Sequence, residues 1–98
     1  APHKVRINNG GNNIDFVIKD NSNNVYFTAD ASTARIGIGT DQPEAALDIN
    51  SDSMRLRNSN TPSSAGDFGH QGEIRWDANY IYICVATDTW KRVALSSW

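Results

Sequence analysis

A ladder of paired apolar residues restricts this chain more than any other feature. Ile14/Phe16, Val25/Phe27, Ile36/Ile38 and Leu47/Ile49 recur with a step of eleven residues. Within each pair the spacing is two, the period at which side chains of an extended chain return to one side. Polar turn-formers fill the gaps, Lys19-Asp20-Asn21-Ser22-Asn23-Asn24 and then Asp30-Ala31-Ser32-Thr33. Such residues favour turns because their side chains hydrogen-bond nearby backbone. An eleven-residue repeat is also the period of a right-handed coiled coil. The Asn, Gly and Thr content and the spacing of two favour short strands instead.

This pattern leaves a shortage of core. The chain has 98 residues, of which 39% are hydrophobic. A domain of that length buries only about 60–65% of its unfolded surface. Two apolar residues per strand do not close a core within one chain, whereas three copies around an axis do. The expected architecture is all-β: an intertwined homotrimeric β-prism or β-helix-like shaft over 1–57, then a loop over 58–72 and a small antiparallel β-meander knob over 73–98. In the shaft Phe16, Phe27, Ile38 and Ile49 stack inward, and Ile36 and Leu47 complete the candidate trimer interface. Gly37 and Gly39 suit a narrow axis or a sharp corner, since glycine in a strand marks close backbone approach. A monomeric meander with one half-exposed face is the alternative.

The third gap of the ladder differs from the others. Thr40 or Asp41 can cap a helix, Pro43 is tolerated in a first turn, and Glu44 favours the positive helix end. The spacing predicts one capped helical turn over Thr40–Ala46, after which Leu47 resumes the strand phase. Arg35-Ile36-Gly37-Ile38-Gly39-Thr40, then Pro43, then Leu47-Asp48-Ile49 resembles the "VGIGT-x-x-P-x-x-x-L-x-V" segment of bacteriophage tail-fibre and tailspike proteins. The strands around Asp15–Ile18 and Val25–Asp30 are similar to the pair that precedes it there. The resemblance implies an elongated homotrimer on the virion. The long intramolecular chaperone that often follows such segments is not part of this sequence.

Asn58–Gly72 reads as a long loop punctuated by Pro62, Gly66, Gly69 and Gly72. A loop of this length is functional, wraps a neighbouring chain, or is partly mobile. Three strands follow, Glu73–Trp76, Tyr80–Ala86 and Trp90–Leu95, separated by Asp77-Ala78-Asn79 and Thr87-Asp88-Thr89. Tyr80–Ala86 is apolar at nearly every position, which predicts a central strand covered on both faces. "GEIRWDANYIYICVATDTWKRVAL" resembles the carboxy-terminal module of phage fibre and related virion proteins.

Composition excludes several functions. The net charge of -2 gives no electrostatic reason for a nucleic-acid partner. The run Tyr80–Ala86 is too short to span a bilayer, and the polar amino end lacks the apolar core of a signal peptide. The single cysteine, Cys84, reads as a packed thiol and excludes an intrachain disulfide. Glu73 and Asp77 are two acids near a turn, but nothing in the pattern indicates the sugar cleft that a glycosidase builds between its carboxylates. His3 and His70 have no nucleophile elbow beside them. A metal on a trimer axis through His70 is the one metal site considered, and no cofactor is expected.

The aromatic residues concentrate near the end of the sequence. Trp76, Tyr80, Tyr82, Trp90 and Trp98 are candidates for stacking on sugar rings, because aromatic faces combine apolar area with a polar handle. Lys91 and Arg92 beside Trp90 are candidates for attracting an acidic glycan. The same residues also suit a core, an interface or a charged strand edge. The reading that follows is a non-enzymatic virion fibre or spike module that trimerises and presents an attachment tip, with host-surface glycan and other virion proteins as partners. The alternative is a capsid or tail connector.

Overall fold

A computed structural model describes residues 3–98. The chain forms two compact units, one ending at Met54 and one spanning Arg55–Trp98. Both are β structure, and no helix occurs among the described residues.

The first unit holds β1 (Phe16–Lys19), β2 (Val25–Asp30), β3 (Arg35–Ile38) and β4 (Leu47–Ile49) in the order β1-β2-β3-β4. The first two pairings are antiparallel and the third is parallel. Ile14 precedes β1, so the first pair of the ladder enters the sheet only through Phe16. The eleven-residue step becomes the register of the sheet. Ile18, Phe27, Ile38 and Ile49 form one cross-strand row, and Phe16, Ala29, Ile36 and Leu47 form the next. Both rows lie on one face, because the two residues that each strand contributes are two apart. The Phe16 and Phe27 rings meet edge-on at 6.1 Å.

Side-chain capture closes the first two turns. Asp20 Oδ1 accepts the amides of Ser22 (2.8 Å) and Asn24 (2.9 Å). Asp30 Oδ1 accepts the Ser32 amide at 3.0 Å and its hydroxyl at 2.7 Å. Asn23 and Ala34 take positive φ at these corners, of 66° and 56°.

The connection from β3 to β4 is the unusual element. Parallel strands are ordinarily joined by about a dozen residues or more, but here only residues 39–46 intervene. The predicted helical turn is absent. Instead the Gln42 amide donates to Thr40 Oγ1 (3.0 Å), the Glu44 amide donates to Asp48 Oδ2 (2.9 Å), and Arg35 Nη1 donates to the Pro43 carbonyl (3.3 Å). The amides of Ile36 and Asn50 reach the carbonyls of Ala46 and Ile38, each at 2.8 Å. Groups that a helical turn would have used locally are therefore bonded to the strands. The loop folds back on the sheet, burying Pro43 and Gly37. A Cβ at Gly37 would collide with the Thr40 carbonyl oxygen.

The apolar ladder itself is open in the single chain. Phe27 and Ile49 are half-buried, whereas Phe16, Ile36, Ile38 and Leu47 are exposed, Leu47 by 55%. A shallow groove of about 360 Å³ runs beside Ile7, Ile14, Phe16, Phe27 and Ile36 on this face.

The second unit holds β5 (Ile74–Trp76), β6 (Tyr80–Ala86) and β7 (Thr89–Ala94) as an antiparallel sheet in the order β5-β6-β7. Its core is Tyr82, Cys84 and Trp90, with 4%, 0% and 6% of their surface accessible, and Tyr80 packs against it. Residues 60–72 are hydrogen-bonded into this unit. Asn60, Gly72 and Asp88 donate backbone amides to the carbonyls of Trp76, Cys84 and Gly69 at 2.9, 2.7 and 3.0 Å. The expectation that β6 is covered on both faces is corrected. On one face Tyr82 and Cys84 are buried and Tyr80 is half-buried, whereas Ala86 at the strand end is exposed. Ile81, Ile83 and Val85 face outward, together with Ile74, Val93 and Leu95.

Gly37→Ala tests the folded-back loop. Crowding backbone against backbone should destabilise the chain by about 1–3 kcal/mol in denaturant unfolding. An unchanged midpoint would show that the loop does not rest on β3.

Candidate functional site

Alternation along β6 and β7 sorts the aromatic and basic residues. Tyr80, Tyr82, Cys84, Trp90 and Arg92 share the face beneath the loop, and Lys91 takes the opposite one. The loop is pinned by Trp90. Its amide donates to the Ala65 carbonyl (2.8 Å) and its Nε1 to the Asp67 carbonyl (3.0 Å). Gly69 is buried against the indole, and a Cβ there would lie 2.6 Å from Cζ2. Arg75 sits over the ring at 4.4 Å, and its Nε donates to Glu73 Oε2 at 2.7 Å.

Beside this contact lies a cleft of about 500 Å³. Pro62, Ser63, Ser64 and Ala65 form one wall, and Tyr82, Trp90, Lys91 and Arg92 form the other. The Ser63 wall is held by its amide donating to Asp67 Oδ2 (2.9 Å), and the Ser64 corner by the Gly66 amide donating to Ser64 Oγ (3.2 Å). Arg92 stacks on the Tyr80 ring, 4.1 Å from its centroid.

The structure thus divides the residues singled out from sequence. Tyr82, Trp90, Lys91 and Arg92 meet at the cleft, although Tyr82 and Trp90 are chiefly core. Tyr80 lies half-buried under Arg92. Trp76 is half-buried, and its Nε1 donates to the Leu56 carbonyl at 2.7 Å. Trp98 is fully exposed in the single chain. His70 packs edge-on against Phe68 at 5.0 Å, and no group of three potential metal ligands occurs among the described residues. The serine wall was missed. Pro62-Ser63-Ser64 reads as ordinary loop, and only the pairing of Ala65 with Trp90 brings it to the sheet.

Asp77 anchors the far end of the same face. Its Oδ2 accepts the hydroxyls of Thr61 (2.6 Å) and Tyr82, and its Oδ1 accepts the amides of Asn79 (2.8 Å) and Tyr80 (2.9 Å). The Thr61 hydroxyl, then the Tyr82 hydroxyl, hold the carboxyl well below its ordinary range, and the same bond pushes the Tyr82 phenol up. Glu73 is also lowered, first by Arg75 and then by the His70 amide. A general acid requires the opposite shift, so both carboxylates act here as anchors.

No family model matches the sequence, and no solved structure matches it. Two curated phage proteins do. A depolymerase of Klebsiella phage K64-1, specific for capsule K30/K69, is 34% identical over 88 residues, which cover 90% of this chain and 11% of that protein. Depolymerase 1 of Klebsiella phage K5-2, also K30/K69-specific, is 50% identical over 36 residues, covering 37% of this chain and 4% of that protein. The chain therefore spans a small part of the relatives it matches. Both being phage proteins agrees with the resemblance to phage fibre and spike proteins and with a virion location. The expectation of a non-enzymatic protein is overturned, because both relatives are named depolymerases.

Asp77 has a depressed folded-state pKa, so its stabilising contribution is complete above the ordinary value of 3.8 and is lost as pH falls below it. Acid unfolding should be less steep below that pH in Asp77→Asn than in the native chain, as followed by near-ultraviolet circular dichroism. Coincident acid limbs would show that Asp77 is not the anchor.

Proposed function

We propose that this chain is a segment of a phage capsule depolymerase, and that it builds a trimeric, host-facing β structure that engages capsule polysaccharide. The observation that carries this reading is the 34% identity that runs along 90% of the chain to a capsule-specific depolymerase. In this reading the four-stranded sheet serves as the shaft, with residues 58–72 and the meander as the end that meets the polysaccharide.

Two features support the trimer. The ladder of Phe16, Ile36, Ile38 and Leu47 is exposed in the single chain, and so is the outer face of β6. Contiguous apolar faces of this kind mark contact surfaces. Three identical sites on one axis also gain avidity without new contacts, which suits a repeating polysaccharide.

Light scattering on the isolated chain should give the mass of three copies at micromolar concentration. Ile38→Asp should leave the strands intact, as judged by circular dichroism, yet yield monomers. The native chain should be retained on immobilised capsule polysaccharide and the monomeric variant released. A folded native monomer would overturn the trimer. Retention by virion proteins but not by polysaccharide would replace this reading with the connector.

A further inference from the structure

We infer that the cleft between Pro62–Ala65 and β7 receives an acidic sugar unit, with the Arg92 guanidinium pairing with its carboxylate. The inference deepens the polysaccharide-engaging reading above and rests on it.

Two arginines lie on the covered face of the second sheet, and their surroundings differ. Arg75 is neutralised, with Nε 2.7 Å from Glu73 Oε2 and Nη1 3.9 Å from Asp67 Oδ2. Arg92 forms no ion pair among the described residues, and it lines the cleft. The Tyr80 ring beneath it, 4.1 Å from the guanidinium carbon, holds the planar group without neutralising it. A fixed, uncompensated guanidinium is suited to a carboxylate, whose two oxygens match its fork. Lys91 also lines the cleft, but its ammonium lacks the planar fork that matches the two oxygens of a carboxylate.

The opposite wall suits a sugar ring. Ser64 Oγ accepts from the Gly66 amide, which leaves its hydroxyl hydrogen free to donate. The asymmetry of the cleft, a cation on one wall and hydroxyls on the other, orients a monosaccharide that carries acid at one end.

The probes are a uronic-acid-containing oligosaccharide and its carboxyl-reduced, neutral counterpart, titrated into the full chain by calorimetry and by amide chemical shifts. The acidic form should bind about tenfold more tightly, weaken as salt is raised, and shift the amides of Ser63–Ala65 and Arg92. Arg92→Gln should abolish the preference while the Trp90 near-ultraviolet signal is retained. Arg92→Lys should keep only part of it, since an ammonium lacks the fork. Equal binding of the two forms, with shifts at the cleft, overturns this inference and leaves the polysaccharide-engaging reading standing. A preference that survives in Arg92→Gln, or shifts confined to the first sheet, also overturns it. Absence of binding by either form overturns the polysaccharide-engaging reading itself.

Discussion

The second unit depends on the seal between Trp90 and the loop above it. One residue supplies a buried aromatic surface, an indole donor to Asp67 and a backbone donor to Ala65. A sheet of three short strands has little else to close its covered face, and Gly69 is what lets the loop approach the ring. The same contact sets the position of Ser63 and Ser64. Core and cleft are thus one construction, and the polar wall of the site is held by the packing that stabilises the fold. A site built this way needs no separate scaffold, but its wall cannot move without loosening the core.

The first unit has no comparable seal. What it buries on its covered face is Thr28, Gly37 and Pro43, none of them a large apolar side chain. Its cohesion comes from strand pairing, from Asp20, Asp30 and Asp48 capturing backbone amides in the turns, and from the loop bonded to β3. Its apolar ladder lies on the other face, in register, with Phe16, Ile36, Ile38 and Leu47 exposed and Phe27 and Ile49 half-buried. A sheet that spends its aliphatic side chains on an open face is poorly stabilised alone. That arrangement fits the proposed trimer, in which neighbouring copies complete the burial.

The ladder was legible because a step of eleven and a spacing of two together fix both strand and register. The strands of the meander were legible for the same kind of reason. The connection after Gly39 was not. Thr40, Pro43 and Glu44 carry helix-start signals, yet Asp48 takes the Glu44 amide and Arg35 takes the Pro43 carbonyl. Those partners belong to the flanking strands, and local propensity gives way to them. The aromatic cluster could be seen in the sequence, but its division into core and cleft could not. Trp90 and Tyr82 are buried by a loop that lies more than twenty and fewer than twenty-five residues from Trp90 at Asp67, and up to twenty from Tyr82 at Pro62. No local pattern encodes that cover. The breadth of apolar character in Tyr80–Ala86 likewise hid the fact that only alternate residues are covered within the chain.

The carboxylates complete the electrostatic logic of this face. Asp77 is saturated by hydroxyls and amides, and Glu73 is tied to Arg75 and the His70 amide. Each is more firmly ionised than an ordinary carboxylate. Glu73 and Asp67 thereby cancel the charge of Arg75, which becomes part of the packing over Trp90. Asp77 is committed to Thr61 and Tyr82 and forms no ion pair with Arg92. Two identical side chains on one small sheet are given different duties by what lies beside them. A carboxylate next to Arg75 makes it structural. An aromatic ring under Arg92 fixes its geometry while leaving its charge available beside a cleft that Ser63 and Ser64 also line.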